Sequence, residues 1–125
     1  MRADLSRARA YDGTVRTLAE MPRPLRVQSP GTYHVFAQGI SCRPLFSDAS
    51  ARRLFLRLLG ETASRHVWRV QSYCLMSTHY HLLIRIEQAN LARGMQWLNG
   101  VYGALVNLLE EHRGHVFGPA TARRR

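Results

Sequence analysis

Residues 32–38 form a β-branched and aromatic run after the turn signal Ser29-Pro30-Gly31, and they predict a first strand. Ser47 or Asp48 then stands where a helix cap is needed. Behind it Ala51, Leu54, Phe55, Leu58, Leu59 and Thr62 recur at helical spacing, while Arg52, Arg53, Arg57 and Glu61 fall on the opposite side. Residues 68–75 predict a second strand. The short polar step Ser77-Thr78 leads into a third over 79–86, so the pair reads as a hairpin. Asn90 is placed to cap a second helix, whose stripe Leu91, Met95, Leu98, Tyr102, Leu105 and Leu109 alternates steps of four and three; Gly114 is expected to end it. Gly94, Gly100 and Gly103 each cost such a helix up to ~1 kcal/mol relative to alanine, so packing must hold it together.

Strand, helix, strand, strand, helix is the order of a ferredoxin-like α+β sheet whose last strand is missing or degenerate. In that architecture both helices cover one face of the sheet and leave the other free. Residues 1–20 mix four arginines with Asp4, Asp12 and Glu20 without a clear apolar period, and read as a loose N-terminal extension. Residues 21–117 form the domain, and 118–125 form a divergent basic tail. No repeat or low-complexity tract interrupts them.

The 125 residues suit one domain, and 46% hydrophobic residues exclude a disordered chain. Eighteen basic side chains against eight acidic ones give a formal charge of +10. All eighteen are arginine. GC-rich coding explains the missing lysines more simply than selection for phosphate recognition, but the charge still attracts polyanions, nucleic acid foremost. The arginines are spread along the chain rather than gathered in a tail. Cys42 and Cys74 stand apart from any CxxC spacing, so neither a disulfide framework nor a zinc ribbon is indicated. With no apolar stretch of membrane-spanning length and no signal-peptide core, a cytoplasmic location and no membrane partner are expected.

Alternation within the third strand assigns its side chains to faces. Tyr80, Leu82, Ile84 and Ile86 make a continuous apolar face that must meet the helices; His79, His81, Leu83 and Arg85 then project from the other. Two imidazoles at i and i+2 stand roughly 6 to 7 Å apart and can converge on one divalent cation. The same pattern also fits two ordinary surface histidines. A histidine-triad hydrolase would need a third histidine where Leu83 stands. His112 and His115 have metal-like spacing but fall beside Gly114, where the helix ends.

Several blocks around this pair carry a resemblance. Met21-Pro-Arg-Pro-Leu-Arg-Val, Pro30-Gly-Thr-Tyr-His-Val, Tyr73-Cys-Leu-Met-Ser-Thr-His-Tyr-His-Leu-Leu, Asn90-Leu-Ala-Arg-Gly-Met and Gly114-His-Val-Phe occur in that order. From about Met21 to Phe117 the chain resembles the single-tyrosine HUH transposases, especially the REP-associated tyrosine transposases and their relatives in small bacterial insertion sequences. The resemblance implies a ferredoxin-like domain, often dimeric, that binds single-stranded or hairpin DNA. It implies that His79 and His81 hold Mg²⁺ or Mn²⁺ at the scissile phosphate, and that a tyrosine on a later helix attacks phosphorus to form a 5′-phosphotyrosine. A Lewis acid suits that chemistry, because a phenol of pKa about 10 is a poor nucleophile at neutral pH. Two nitrogens do not select magnesium, so a further ligand and water must complete the sphere.

The chain departs from the family pattern in places. The 44 residues after His81 are too few for a helix, a strand and a catalytic helix together, so the nucleophilic tyrosine is expected to be absent. Tyr102 lies in the apolar helix stripe, Tyr80 faces the helices, and Tyr33 and Tyr73 lie on strands. Ser77-Thr78 replaces Pro-Asn before the first histidine; Gln38 and Ile40-Ser41 stand where the family has arginine and asparagine. The reading is a transposase-like protein from a truncated or frameshifted copy. The alternative is an inactive remnant that only binds DNA. Arg85, Gln38 and Arg43 are the expected DNA contacts, while Trp97 and Tyr73 are aromatic enough to stack on bases but fit core packing better. A missing last strand would leave one edge of the first strand unpaired and prone to association.

Overall fold

The alternation of residues 79–86 decides the layering of the molecule. The computed structural model describes Leu5, Arg9–Ala10, Arg23–Pro24 and residues 29–125. In chain order the elements are β1 (Arg9–Ala10), β2 (Arg23–Pro24), β3 (Gly31–Gln38), α1 (Ala49–His66), β4 (Trp68–Leu75), β5 (His79–Ile86), α2 (Leu91–Glu110) and β6 (Thr121–Arg124), with a short 3-10 turn at Ile40–Cys42. The four longer strands form an antiparallel sheet in the order β4-β5-β3-β6; β1 adds parallel to β4 and β2 antiparallel to β6 at the two edges. Each helix therefore crosses from one strand to a parallel strand two places away, with an antiparallel strand between. This is the ferredoxin-like arrangement.

Tyr80, Leu82, Ile84 and Ile86 are all fully buried. Against them and Tyr33, Val35 and Ala37 pack Phe55, Leu58, Leu59 and Ala63 of α1 and Leu91, Met95, Leu98, Tyr102 and Val106 of α2. At about 1.5–3 kcal/mol for each large apolar side chain removed from water, this single layer dominates the folding energy. Aromatic rings lock its middle, with Phe55 centred 4.8 Å from Tyr80 and 5.3 Å from Tyr102.

The caps divide differently from expectation. Asp48 caps α1, its side chain accepting the Ala51 N–H at 2.9 Å. Asn90 stands at the start of α2 but makes no cap bond. Its Oδ1 accepts from the Trp68 indole at 2.8 Å and its Nδ2 donates to the His66 carbonyl at 2.8 Å, joining the end of α1, the start of β4 and the start of α2. Gly114 does not end α2. The helix stops at Glu110, with Glu111 in the left-handed region at φ 56°. Leu109 leaves the buried stripe and is 74% exposed, because 3.6 residues per turn carry the core-facing line from Tyr102 to Val106.

The last strand, expected to be missing or degenerate, is short but present. Thr121–Arg124 pairs antiparallel with β3, from Phe36 opposite Thr121 to Tyr33 opposite Arg124. The segment read as a divergent basic tail thus supplies a sheet strand. The edge of β3 is covered, which removes the reason given for association. Backbone pairing drives this strand more than side-chain pattern does, since Ala122 is its one buried residue. Most of the expected extension over 1–20 lies outside the described residues; of its described part, Leu5 packs partly buried on the core and Arg9–Ala10 pairs with β4.

Candidate metal and nucleic-acid site

The β3–β5 register puts Gln38 opposite His79, Phe36 opposite His81, His34 opposite Leu83 and Thr32 opposite Arg85. Cys74 of β4 stands on the other side of His81. All lie on the face away from the helices. The histidine pair is therefore where alternation puts it. The two rings are half-buried, their centroids 5.3 Å apart and their planes 86° to each other. Phe36 supports both, at 5.8 Å from His79 and 5.1 Å from His81. Burial lowers the His79 pKa from the ordinary imidazole value, which favours the neutral, metal-competent form. Thr78 Oγ1 lies 3.3 Å from His79 Nδ1.

The helix-free face is less bare than the sequence suggests. His34, Ser72 and Cys74 on it are each only 4% exposed. His34, quoted in a motif block but given no role there, reaches across from β3 so that its Nε2 lies 2.8 Å from His81 Nδ1. Alternation in β3 placed His34, Phe36 and Gln38 on one face; the missing information was which strand lies beside β3 and in what register.

The expected DNA contacts separate. Arg85 is exposed on the histidine face and meets Glu87 at 3.1 Å. Gln38 borders His79 and donates to Cys42 Sγ at 3.4 Å. Arg43 is engaged within the fold, away from the histidine pair. Its guanidinium donates to Asn107 Oδ1 at 2.7 Å and to the His115 carbonyl at 3.4 Å, and lies 3.6 Å from Glu110. By register Arg69 and Arg123 join Arg85 on the histidine face, and both are exposed. The sequence reading did not single them out.

The described tyrosines do not face the histidines. Tyr33, Tyr80 and Tyr102 are buried in the helix-side core, and Tyr73 packs partly buried against it. Burial raises the phenol pKa of Tyr80 and of Tyr102; the carboxylates of Glu110 and Asp48 raise Tyr102 further. Tyr11 lies outside the described residues. Trp97 carries Arg65 4.9 Å from its ring centre, on the helix layer. His112 and His115 are exposed, and among the described residues no group of three or more His, Cys, Asp or Glu side chains is arranged to hold a metal ion. A cleft of about 300 Å³ between α2 and residues 114–118 contains neither His79 nor His81.

The family model described as "Transposase IS200 like" matches residues 28–118, well over half of the chain. The chain belongs to the IS200-like transposase family. A protein from Deinococcus radiodurans R1, solved as a candidate transposase, has a similar fold at 13% identity and a TM-score of 0.62, covering 84% of this chain and 86% of that one. No curated protein matches. Membership in a transposase family implies DNA as the partner. Among the described residues no helix of this family member is long and apolar enough to cross a membrane.

Proposed function

We propose that this IS200-like transposase family member binds single-stranded or hairpin DNA across its helix-free sheet face, with a phosphodiester held at His79 and His81. The observation that carries the reading is the pair of half-buried imidazoles 5.3 Å apart on the same face as exposed Arg69, Arg85 and Arg123. The donor set fits Mn²⁺ better than Mg²⁺, since imidazole nitrogen is a poor partner for the harder ion. His79 and His81 would hold the cation, and phosphate and water oxygens would fill the positions that no described side chain supplies. Such a cation would neutralise charge on the phosphoryl oxygens.

The residues have distinct tasks in this reading. Burial disfavours the charged form of His79 and so favours the neutral, ligating imidazole. Phe36 packs on both rings and limits their rotation. Arg69, Arg85 and Arg123 contact the flanking phosphates and give binding its salt dependence. Gln38, beside His79, offers an uncharged amide to the bound strand where the family resemblance implies arginine. Strand cleavage would need a nucleophile other than Tyr33, Tyr73, Tyr80 or Tyr102, all of which pack on the helix side. The favoured activity of these residues is therefore DNA docking.

Binding of a hairpin-tipped single strand, measured across a salt series with Mn²⁺ and followed by a denaturing gel, tests the proposal. The expected result is a linear log–log loss of affinity with salt and no covalent adduct to any of those four tyrosines. Salt-independent or absent binding contradicts the docking role. An adduct mapped to one of the four contradicts the assignment of the tyrosines.

A further inference from the structure

We infer that His34 is a positioning residue for His81: its Nε2 accepts the Nδ1–H of His81, which leaves the His81 Nε2 lone pair as the donor to a divalent cation. The inference rests on the reading of His79 and His81 as the cation site.

His34 and His81 are diagonal neighbours on adjacent antiparallel strands, since His34 pairs with Leu83 and Phe36 with His81. Long side chains reach each other across such a diagonal. Here the rings lie 5.0 Å apart at 30° to each other, with His34 Nε2 2.8 Å from His81 Nδ1. Two ring nitrogens at that distance share one hydrogen, so one donates and the other accepts. If His34 donated, the neutral His81 ring would carry its own hydrogen on Nε2 and have no lone pair left for a metal. If His81 donates, Nε2 carries no hydrogen and keeps its lone pair. Only the second arrangement makes His81 a ligand.

The surroundings give His34 the rigidity this role needs. It is 4% exposed on a central strand, with β5 on one side and β6 on the other. Phe36 packs against His81 from the directly opposed position at 5.1 Å. His81 is thus held by the His34 hydrogen bond and by ring contacts that include Phe36 and His79. His79, at the start of β5, has Thr78 Oγ1 at 3.3 Å from its Nδ1. The His81 contact is the shorter and comes from another strand. An outer hydrogen-bond partner of this kind fixes the tautomer and orientation of a ligating imidazole, and its loss costs roughly 10- to 100-fold in metal affinity.

Two measurements test the role without any cleavage assay. Long-range ¹H–¹⁵N NMR of the metal-free wild-type protein should show His81 as the Nδ1–H tautomer; an Nε2–H tautomer overturns the inference whatever the variants do. Mn²⁺ binding followed by electron paramagnetic resonance should weaken roughly 10-fold or more in His34→Phe, which keeps a ring but removes the acceptor. His34→Gln should recover most of that loss, because its amide oxygen reaches the place of the imidazole Nε2. A folded His34→Phe that binds Mn²⁺ like wild type overturns the positioning role alone. A wild-type protein that binds no Mn²⁺ overturns the cation site and the positioning role with it. Should His34→Phe fail to fold, the wild-type tautomer and His34→Gln still decide.

Discussion

The Tyr102 hydroxyl donates a 2.6 Å hydrogen bond to the Leu45 carbonyl, tying the middle of α2 to the segment that precedes α1. Both residues are buried, on the side of the sheet away from the histidine pair. Tyr102→Phe keeps the ring packing against Phe55 and Phe46 but strands a buried carbonyl. The expected cost is about 1–3 kcal/mol in urea unfolding, with DNA affinity at the wild-type level. Loss of DNA binding in a stable Tyr102→Phe would place this phenol at the DNA site instead.

Burial of Tyr80 and Tyr102 also sets the alkaline behaviour. Both phenols have a folded pKa above the ordinary value of 10, while the unfolded chain ionises near 10. Above that pH the unfolded state binds fewer protons than the folded state, so stability is fully present below about 10 and falls as pH rises. Tyrosinate absorbance from Tyr80 and Tyr102 should therefore appear late, coincident with unfolding. A single smooth titration at constant circular dichroism would contradict the burial of these two rings.

Two glycines of α2 should respond in opposite directions. A Cβ on Gly94 would collide with the Trp68 ring, which Asn90 holds in place, whereas a Cβ on Gly100 meets nothing within 4 Å. Gly100→Ala should stabilise by up to ~1 kcal/mol through helix propensity alone. Gly94→Ala should destabilise, by about 1–3 kcal/mol from overpacking. Thermal melts of the two variants check the sign of each.

Arg43 and Arg85 separate stability from DNA contact. Arg43→Ala removes the hydrogen bonds to Asn107 and His115 and should cost about 1–2 kcal/mol while leaving the salt dependence of DNA binding unchanged. Arg85→Ala should leave stability within about 0.5 kcal/mol, since its pair with Glu87 is exposed. It should lower the log–log salt slope by about one. Urea curves and salt titrations on both variants form a crossed comparison, and an Arg43→Ala slope lower by about one would mark Arg43 as a DNA contact.

Strong side-chain patterns were legible in the sequence; features made by pairing were not. β4 and β5 occupy the predicted residues because their alternation and the Ser77-Thr78 step leave little freedom, and the buried face of β5 follows from four apolar residues at period two. Asp48, the α1 cap, is one of two adjacent residues whose side chains suit that position. β6 was illegible because Thr121–Arg124 carries one small apolar residue and two exposed arginines; it is a strand because β3 offers an open edge there. Asn90 looked like a cap, but a buried indole and a helix-end carbonyl, both distant in sequence, claim its amide. Arg43 looked like a surface cation for the same reason, since Asn107 and His115 lie far along the chain. The histidine pair needed only alternation within β5. His34 needed the register of a second strand, which no local pattern supplies.

The most direct test compares the DNA affinity of wild-type protein and the His79→Ala/His81→Ala variant, each with and without Mn²⁺, at one fixed ionic strength. Tightening by Mn²⁺ in the wild type and none in the variant, with equal metal-free affinities from the shared arginines, is the predicted outcome. Equal responses to Mn²⁺ in both proteins would contradict a cation held between these two imidazoles and the DNA backbone.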